Sequence, residues 1–295
     1  MAILQTALKR SGVQRFSGHT PPCGSSWQEK RRSCRREGRQ RARRAEKASI
    51  LRSGDVSCAL RGASELLCAG QNDFGQLGLG DIVPREVFTT VPGAWRTFTL
   101  GHYHGCGVQT DGSLHCWGRN RAGQLGLGNS GVGTHRLVPT RVGTANDWTA
   151  VSGGEFFTCA LKGAGELWCW GSADHGQTGL ASTSTRNVPV RVGTDTDWAS
   201  VSAGGDHTCA LKRGGTLWCW GQNDAGQLGG GSAGPDALVP QRVGAASDWA
   251  EVHASMDYTC ATTSADAIYC WGTNSLGQLG LGDRAQRLVP TPVCW

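Results

Sequence analysis

VSAGGDHTCALKRGGTLWCWGQNDAGQLGGG, residues 201–231, decides the fold. VSA and HTCALK are short runs of small and apolar residues, and TLWCWG is another. Gly, Asn and Asp separate them, and no apolar pattern of helical length intervenes. Runs of this length with this punctuation predict strands and an all-β chain. If Arg213-Gly214-Gly215 is a three-residue hairpin loop, Leu211 faces Leu217, Ala210 faces Trp218 and Cys209 faces Cys219. Side chains alternate faces along a strand, so both cysteines and both leucines share one face.

Outward from this stretch the sequence repeats. Cysteines pair at a ten-residue step: Cys58 with Cys68, Cys106 with Cys116, Cys159 with Cys169, Cys209 with Cys219 and Cys260 with Cys270. The first members lie 48, 53, 50 and 51 residues apart. A period near 50 marks stacked supersecondary units. Directly opposed Cβ atoms sit about 4.5–5.5 Å apart, close to disulfide reach. Five bridges are therefore expected; buried free thiols are the alternative reading. The step does not suit zinc, and no metal site is expected. Cys23, Cys34 and Cys294 are left over from the total of 13. Trp117, Trp170, Trp220 and Trp271 follow the second cysteine, and Trp95, Trp148, Trp198 and Trp249 open earlier strands. Their regular spacing predicts packing between repeats.

Composition narrows the class. Glycine contributes 45 of 295 residues and charged residues 18 %, which excludes a coiled coil or helical bundle. No apolar run reaches the roughly 18 residues of a membrane span. The net charge of +6 is uneven: residues 1–50 carry 13 Lys and Arg against 3 acids, while the remainder is mildly acidic. Residues 1–49 are read as a basic, disordered leader that includes KRRSCRREGRQRARR (30–44), and 50–295 as the folded part. Contact with nucleic acid is expected only through that Arg-rich tail, whose charge would neutralise phosphates whatever the base sequence. No secretory signal is evident, because the basic residues follow the apolar MAILQTAL instead of preceding it.

GQNDFGQLGLGD (70–81), CWGRNRAGQLGLGN (116–129), CWGTNSLGQLGLGD (270–283) and VSAGGDHTCALK (201–212) resemble repeats of the regulator of chromosome condensation family. The resemblance implies a β-propeller of four-stranded antiparallel blades, and the cysteine pairs resemble a bacterial, extracytoplasmic branch. That family usually has seven repeats, whereas five are visible here. Two architectures stay open: a closed ring of about five blades, or a truncated or open part of a seven-bladed ring. In the closed reading LVPTPV (288–293) completes the first blade. The blades are then about 51–82 plus 287–295, 83–130, 137–181, 187–231 and 238–283.

Function is expected in the loops. The position two before each first cysteine holds Val56, His104, Phe157, His207 and Tyr258; a packing and hydrogen-bonding role is expected for His104 and His207. The two positions before that vary from repeat to repeat. Among them Asp55, His102, Tyr103, Glu155, Phe156, Asp206, Met256 and Asp257 are the candidate partner-binding residues. Similar propellers, secreted β-lactamase inhibitory proteins among them, bind partners at such positions, and aromatic anchors carry much interface energy. Plant ultraviolet receptors of this fold place tryptophan there, and its absence argues against photoreception. No G-x-S-x-G, H-E-x-x-H or G-x-x-x-x-G-K-[ST] motif occurs, so no catalytic residue or cofactor is expected.

The leading expectation is a non-enzymatic scaffold that presents a loop face to a protein or surface glycan, with inhibition of a secreted hydrolase as a special case. Guanine-nucleotide exchange on a small GTPase is the alternative, by family analogy. Paired cysteines point to an extracytoplasmic compartment; a cytoplasmic one is the alternative.

Overall fold

The structure, a computed structural model, describes residues 49–294. The leader, its Arg-rich run, Cys23 and Cys34 lie outside the described residues. Every helix or strand assigned among the described residues is a strand. The first sheet holds β1 (Ser49–Ser53), β2 (Val56–Arg61), β3 (Glu65–Gly70) and β4 (Arg85–Thr90). The second holds β5 (Trp95–Leu100), β6 (His104–Gln109), β7 (Leu114–Gly118) and β8 (Arg136–Arg141). The third holds β9 (Trp148–Gly153), β10 (Phe157–Lys162), β11 (Glu166–Gly171) and β12 (Arg186–Arg191). The fourth holds β13 (Trp198–Ala203), β14 (His207–Lys212), β15 (Leu217–Gly221) and β16 (Ala237–Arg242). The fifth holds β17 (Trp249–Ala254), β18 (Tyr258–Thr263), β19 (Ile268–Gly272) and β20 (Arg287–Pro292). Each sheet is an antiparallel meander in chain order, the arrangement of propeller blades.

The hairpin register is the one parity predicts: Cys209 faces Cys219, Ala210 faces Trp218 and Leu211 faces Leu217. All five cysteine pairs are disulfides, each spanning ten residues. Gly215 closes its hairpin with φ +72°, and a Cβ there would lie 2.2 Å from the Ser247 carbonyl oxygen. No other residue type fits both constraints. The fifth hairpin lacks glycine at its turn; Asp266 takes the left-handed conformation instead (φ 61°), and Cys260 still faces Cys270. Cys294 is an exposed free thiol.

The blade divisions read from sequence are shifted by one strand. The V-P segments were expected to open each blade, but they close it: Cys169 pairs with Val190 and Cys219 with Gln241. Residues 287–292 consequently pair with β19, Tyr269 facing Pro292, and do not complete the first blade. That place belongs to β1, whose Leu51 faces Cys58. The physical reason is adjacency. After each C-W-G strand the Gly-rich loop folds back and delivers the next extended segment to the free edge of the same hairpin.

The core lies between blades, where one lock recurs. The Trp117 indole Nε1 donates to the Gln76 carbonyl of the preceding blade at 2.9 Å. Trp170 repeats this on Gln124, Trp220 on Gln177 and Trp271 on Gln227, each at 2.9 Å. All four indoles are fully buried. Thr158 and Thr259 donate hydroxyl hydrogens to the same Gln124 and Gln227 carbonyls, so each accepts from a histidine Nε2–H of the preceding blade, His104 and His207 respectively. Burial lowers both histidines to about 4 and keeps them neutral. Their role is cohesion between blades. In the first blade Ala69 occupies the tryptophan position, so no indole can make this lock between the fifth sheet and the first.

Candidate functional site

The loops joining first to second strands, and those leaving the third strands, gather at one end of the propeller. The β5–β6 loop carries His102 and Tyr103, the β9–β10 loop Glu155 and Phe156, and the β13–β14 loop Asp206. Around the axis, all five blades contribute to a hollow of about 470 Å³, whose wall includes Gly54, His102, Glu155 and Met256. Tight glycines line much of the rest, so these few side chains set its chemistry.

Two of the candidate positions are drawn away from the axis. Tyr103 and Phe156 stack across two blades, with ring centroids 6.4 Å apart. Phe74, from the loop after β3 of the first blade, meets Tyr103 edge-on at 5.5 Å. Over these rings sits the Arg119 guanidinium, 5.0 Å from the Phe74 centroid, 5.0 Å from Tyr103 and 5.5 Å from Phe156. Residues from three blades thus build one cationic–aromatic cluster. The His102 ring packs against Tyr103 with centroids 4.1 Å apart. The backbone fixes the arrangement, because the Arg119 N–H donates to the Tyr103 carbonyl at 2.9 Å.

Asp206 belongs to an opposite half. The Gln177 side chain donates to its Oδ1 at 2.8 Å. Burial raises its pKa, and the nearby Glu155 and Asp174 charges add to that; His175 and the Gln177 bond oppose it. His175 Nδ1 lies 2.8 Å from Asp236. Burial alone would lower this histidine, but the Asp236 bond and the charges of Asp236, Asp206 and Asp224 outweigh it and raise its pKa. The face is therefore polarised: aromatic and cationic over the first three blades, acidic over the third and fourth.

Asp55 and Asp257 are exposed and join neither cluster; Asp55 borders a rim hollow beside Arg85 and Phe88. Sequence reading missed Arg119 and Phe74. A signal existed for both. The residue after each C-x-G is Gln71, Arg119, Ser172, Gln222 or Thr273, and Arg119 alone is charged. The residue before each second Gly of the closing loop is Phe74, Ala122, His175, Ala225 or Leu276, as variable as the positions that were chosen. Among the described residues, no group of three or more His, Cys, Asp and Glu is placed to hold a metal ion. Nor is any helix among them long and apolar enough to cross a membrane.

The family model for the RCC1-like domain matches residues 65–294. A 60-residue segment is 43 % identical to the ultraviolet-B receptor UVR8 of Arabidopsis thaliana, covering 20 % of this chain and 14 % of that protein. Among solved structures, human WBSCR16 is similar with a TM-score of 0.74 and 21 % identity, over 86 % of this chain and 69 % of that one. Yeast RCC1 (Prp20), solved with Kap60 bound, is similar with a TM-score of 0.74 and 21 % identity, over 84 % of this chain. The match spans 61 % of the Prp20 chain.

Proposed function

As a chain that belongs to the RCC1-like domain family, we propose, this protein is a non-enzymatic binding propeller that presents its polarised loop face to a partner protein. The observation that carries this reading is the Arg119 cluster, in which Phe74, Tyr103 and Phe156 from three blades converge on one exposed end. Half-buried aromatic rings beside an arginine are the residue types that dominate interface energetics. The frame beneath supports the same reading, since disulfides and interblade locks hold the tips with little ordering left to do on binding. Five disulfides support an oxidising compartment outside the cytoplasm as the setting of this activity. Capture and inhibition of a secreted hydrolase is one form the activity takes within this reading.

Nucleotide exchange on a small GTPase is not the preferred reading. One structure of the yeast relative is described with that protein's binding to Gsp1p and histones. At 22 % identity the likeness extends to the fold, and function resides in sites grafted on folds.

The test uses the full chain as bait in its native source, with crosslinking, beside a Tyr103→Ala/Phe156→Ala variant. Wild type is expected to enrich a partner that the variant loses while keeping the same melting temperature. Enrichment of the same proteins by both baits would overturn the loop-face reading.

A further inference from the structure

Among the described residues three cations rest on aromatic rings, and two of them have a carboxylate. Lys212 lies 5.0 Å from the rings of Trp198 and Trp218, and it pairs with Asp195 at 2.7 Å and Asp197 at 3.2 Å. Lys162 lies over Trp148 and Trp168 and reaches Asp147 at 3.9 Å. Arg119 has three rings and, among the described residues, no carboxylate in ion-pair range and no acceptor for its guanidinium hydrogens. Five fixed donors are held in place on a partly desolvated platform with nothing among the described residues to receive them.

We infer that the Arg119 cluster takes a carboxylate side chain from an acidic segment of the partner protein, a specification that rests on the loop-face reading above. Planar guanidinium donors match a carboxylate with two parallel hydrogen bonds, a geometry a lysine cannot give. Beside Arg119 lies a hollow of about 560 Å³, bordered also by Arg121, Ser130, Ser172, Thr185 and Asp174. Arg121 is exposed and adds a second positive charge, and the Ser130 and Thr185 hydroxyls offer further donors, while the Ser172 hydroxyl already donates to Asp174 at 3.0 Å. Asp174 decides between anions. Its carboxylate stands in the wall of the same hollow, so a singly charged carboxylate is tolerated where a doubly charged phosphate is opposed. The acidic half of the face, Glu155, Asp174 and Asp206, opposes a backbone charged at every nucleotide, whereas a protein segment can set a carboxylate on Arg119 and neutral residues against that half, which favours a protein over a nucleic acid.

The experiment measures fluorescence anisotropy of a labelled peptide of about fifteen residues rich in Glu and Asp, titrated with the full chain at low salt. Its Gln/Asn counterpart, a phosphoserine counterpart and a single-stranded oligonucleotide are run beside it. Charge-assisted hydrogen bonds of this kind correspond to roughly a tenfold or larger change in affinity. Saturable binding of the acidic peptide is expected, with at least about a tenfold loss for the Gln/Asn peptide and for Arg119→Met. Met keeps an unbranched stem over the rings, and an unchanged melting temperature shows that the cluster persists. Arg119→Lys is the second variant; it keeps the charge, loses the paired donors and is expected to fall between. Arg61→Met, already ion-paired to Glu65, should bind as wild type does. Four results overturn the proposal: no saturable binding, equal affinity for the Gln/Asn peptide, full affinity in Arg119→Met, or preference for the phosphopeptide or the oligonucleotide. The two readings separate in the native source. If partner capture fails in Tyr103→Ala/Phe156→Ala but survives in Arg119→Met, the loop face stands and the carboxylate assignment falls. If capture survives in both, the loop-face reading itself falls.

Discussion

The junctions between blades and the tips above them follow opposite rules. At four junctions the same residue types meet at the same offsets, each indole 2.9 Å from its glutamine carbonyl. At the tips the residues change from blade to blade: Gly54-Asp55 and Gly205-Asp206 are alike, but His102-Tyr103, Glu155-Phe156 and Met256-Asp257 differ from them and from one another. A lock is a local geometric problem with one solution, so it recurs wherever a blade must pack on the next. In the proposed function a tip answers to a surface outside the chain and has no reason to match its neighbours. The first blade sharpens the contrast within the frame itself, since Ala69 replaces the tryptophan and the lock is lost with it. Changes in the frame should therefore be read out in stability, and changes at the tips in recognition.

The largest expected effect comes from removing a lock. Trp170→Ala deletes a fully buried ring and the bond to the Gln124 carbonyl. It opens a cavity against Gly126, whose Cβ, if present, would lie 2.8 Å from that indole. Loss of about 3–5 kcal/mol in denaturant unfolding is expected. Binding of the acidic peptide at a temperature where the variant is folded should not change. A loss below about 1 kcal/mol would mean that the junctions are not what holds the frame.

Next comes pH. His104 and His207 titrate near 4 in the folded protein against 6.5 for the ordinary side chain. The unfolded chain therefore takes up these protons first as pH falls. The stability due to neutral, buried histidine is complete above about 6.5 and is lost progressively down to about 4, by roughly 3 kcal/mol for each residue. Unfolding free energies at pH 7 and pH 4.5 should show this loss in wild type. A His104→Asn/His207→Asn variant should be less stable at pH 7 but flatter across that window. An equally steep profile in the variant would move the effect to other groups. Asp81, Asp111 and Asp283, all held below the usual carboxylate range chiefly by hydrogen bonds from Arg85, Ser113 and Arg287 respectively, lose their contribution only at lower pH.

What was legible in the sequence follows the same division. The hairpin register could be read because Cys209, Leu211, Leu217 and Cys219 lie within one local unit, where parity fixes which side chains face each other. The histidines were legible as structural, although their partners, Thr158 and Thr259, lie 54 and 52 residues away. Strand ownership was not legible. Val190 lies between two hairpins, and nothing local says that it pairs back to Cys169 and not onward to the next blade. Tyr103 and Phe156 stood out by variability at one offset. Phe74 and Arg119 did not, because they interrupt a glycine-rich loop that otherwise reads as pure frame. Their meeting depends on how three blades are turned relative to one another, which no window of sequence contains.

The smallest effect is the one that tests whether the polarity of the face matters. Asp206 is half-buried, and burial together with Glu155 and Asp174 raises its pKa. A raised carboxylate binds its proton more tightly when folded, so its ionised form opposes folding at neutral pH and that opposition fades as pH falls toward the unfolded value. Asp206→Asn keeps the Oδ1 that accepts from Gln177 and removes the charge. A gain of less than about 1 kcal/mol at pH 7 is expected, vanishing in acid. The same change weakens the acidic half without touching Arg119, so acidic-peptide affinity should rise slightly and the salt dependence should steepen. A fall in affinity would instead place Asp206 inside the contact. The boundary between the two halves would then run through the fourth blade rather than around it.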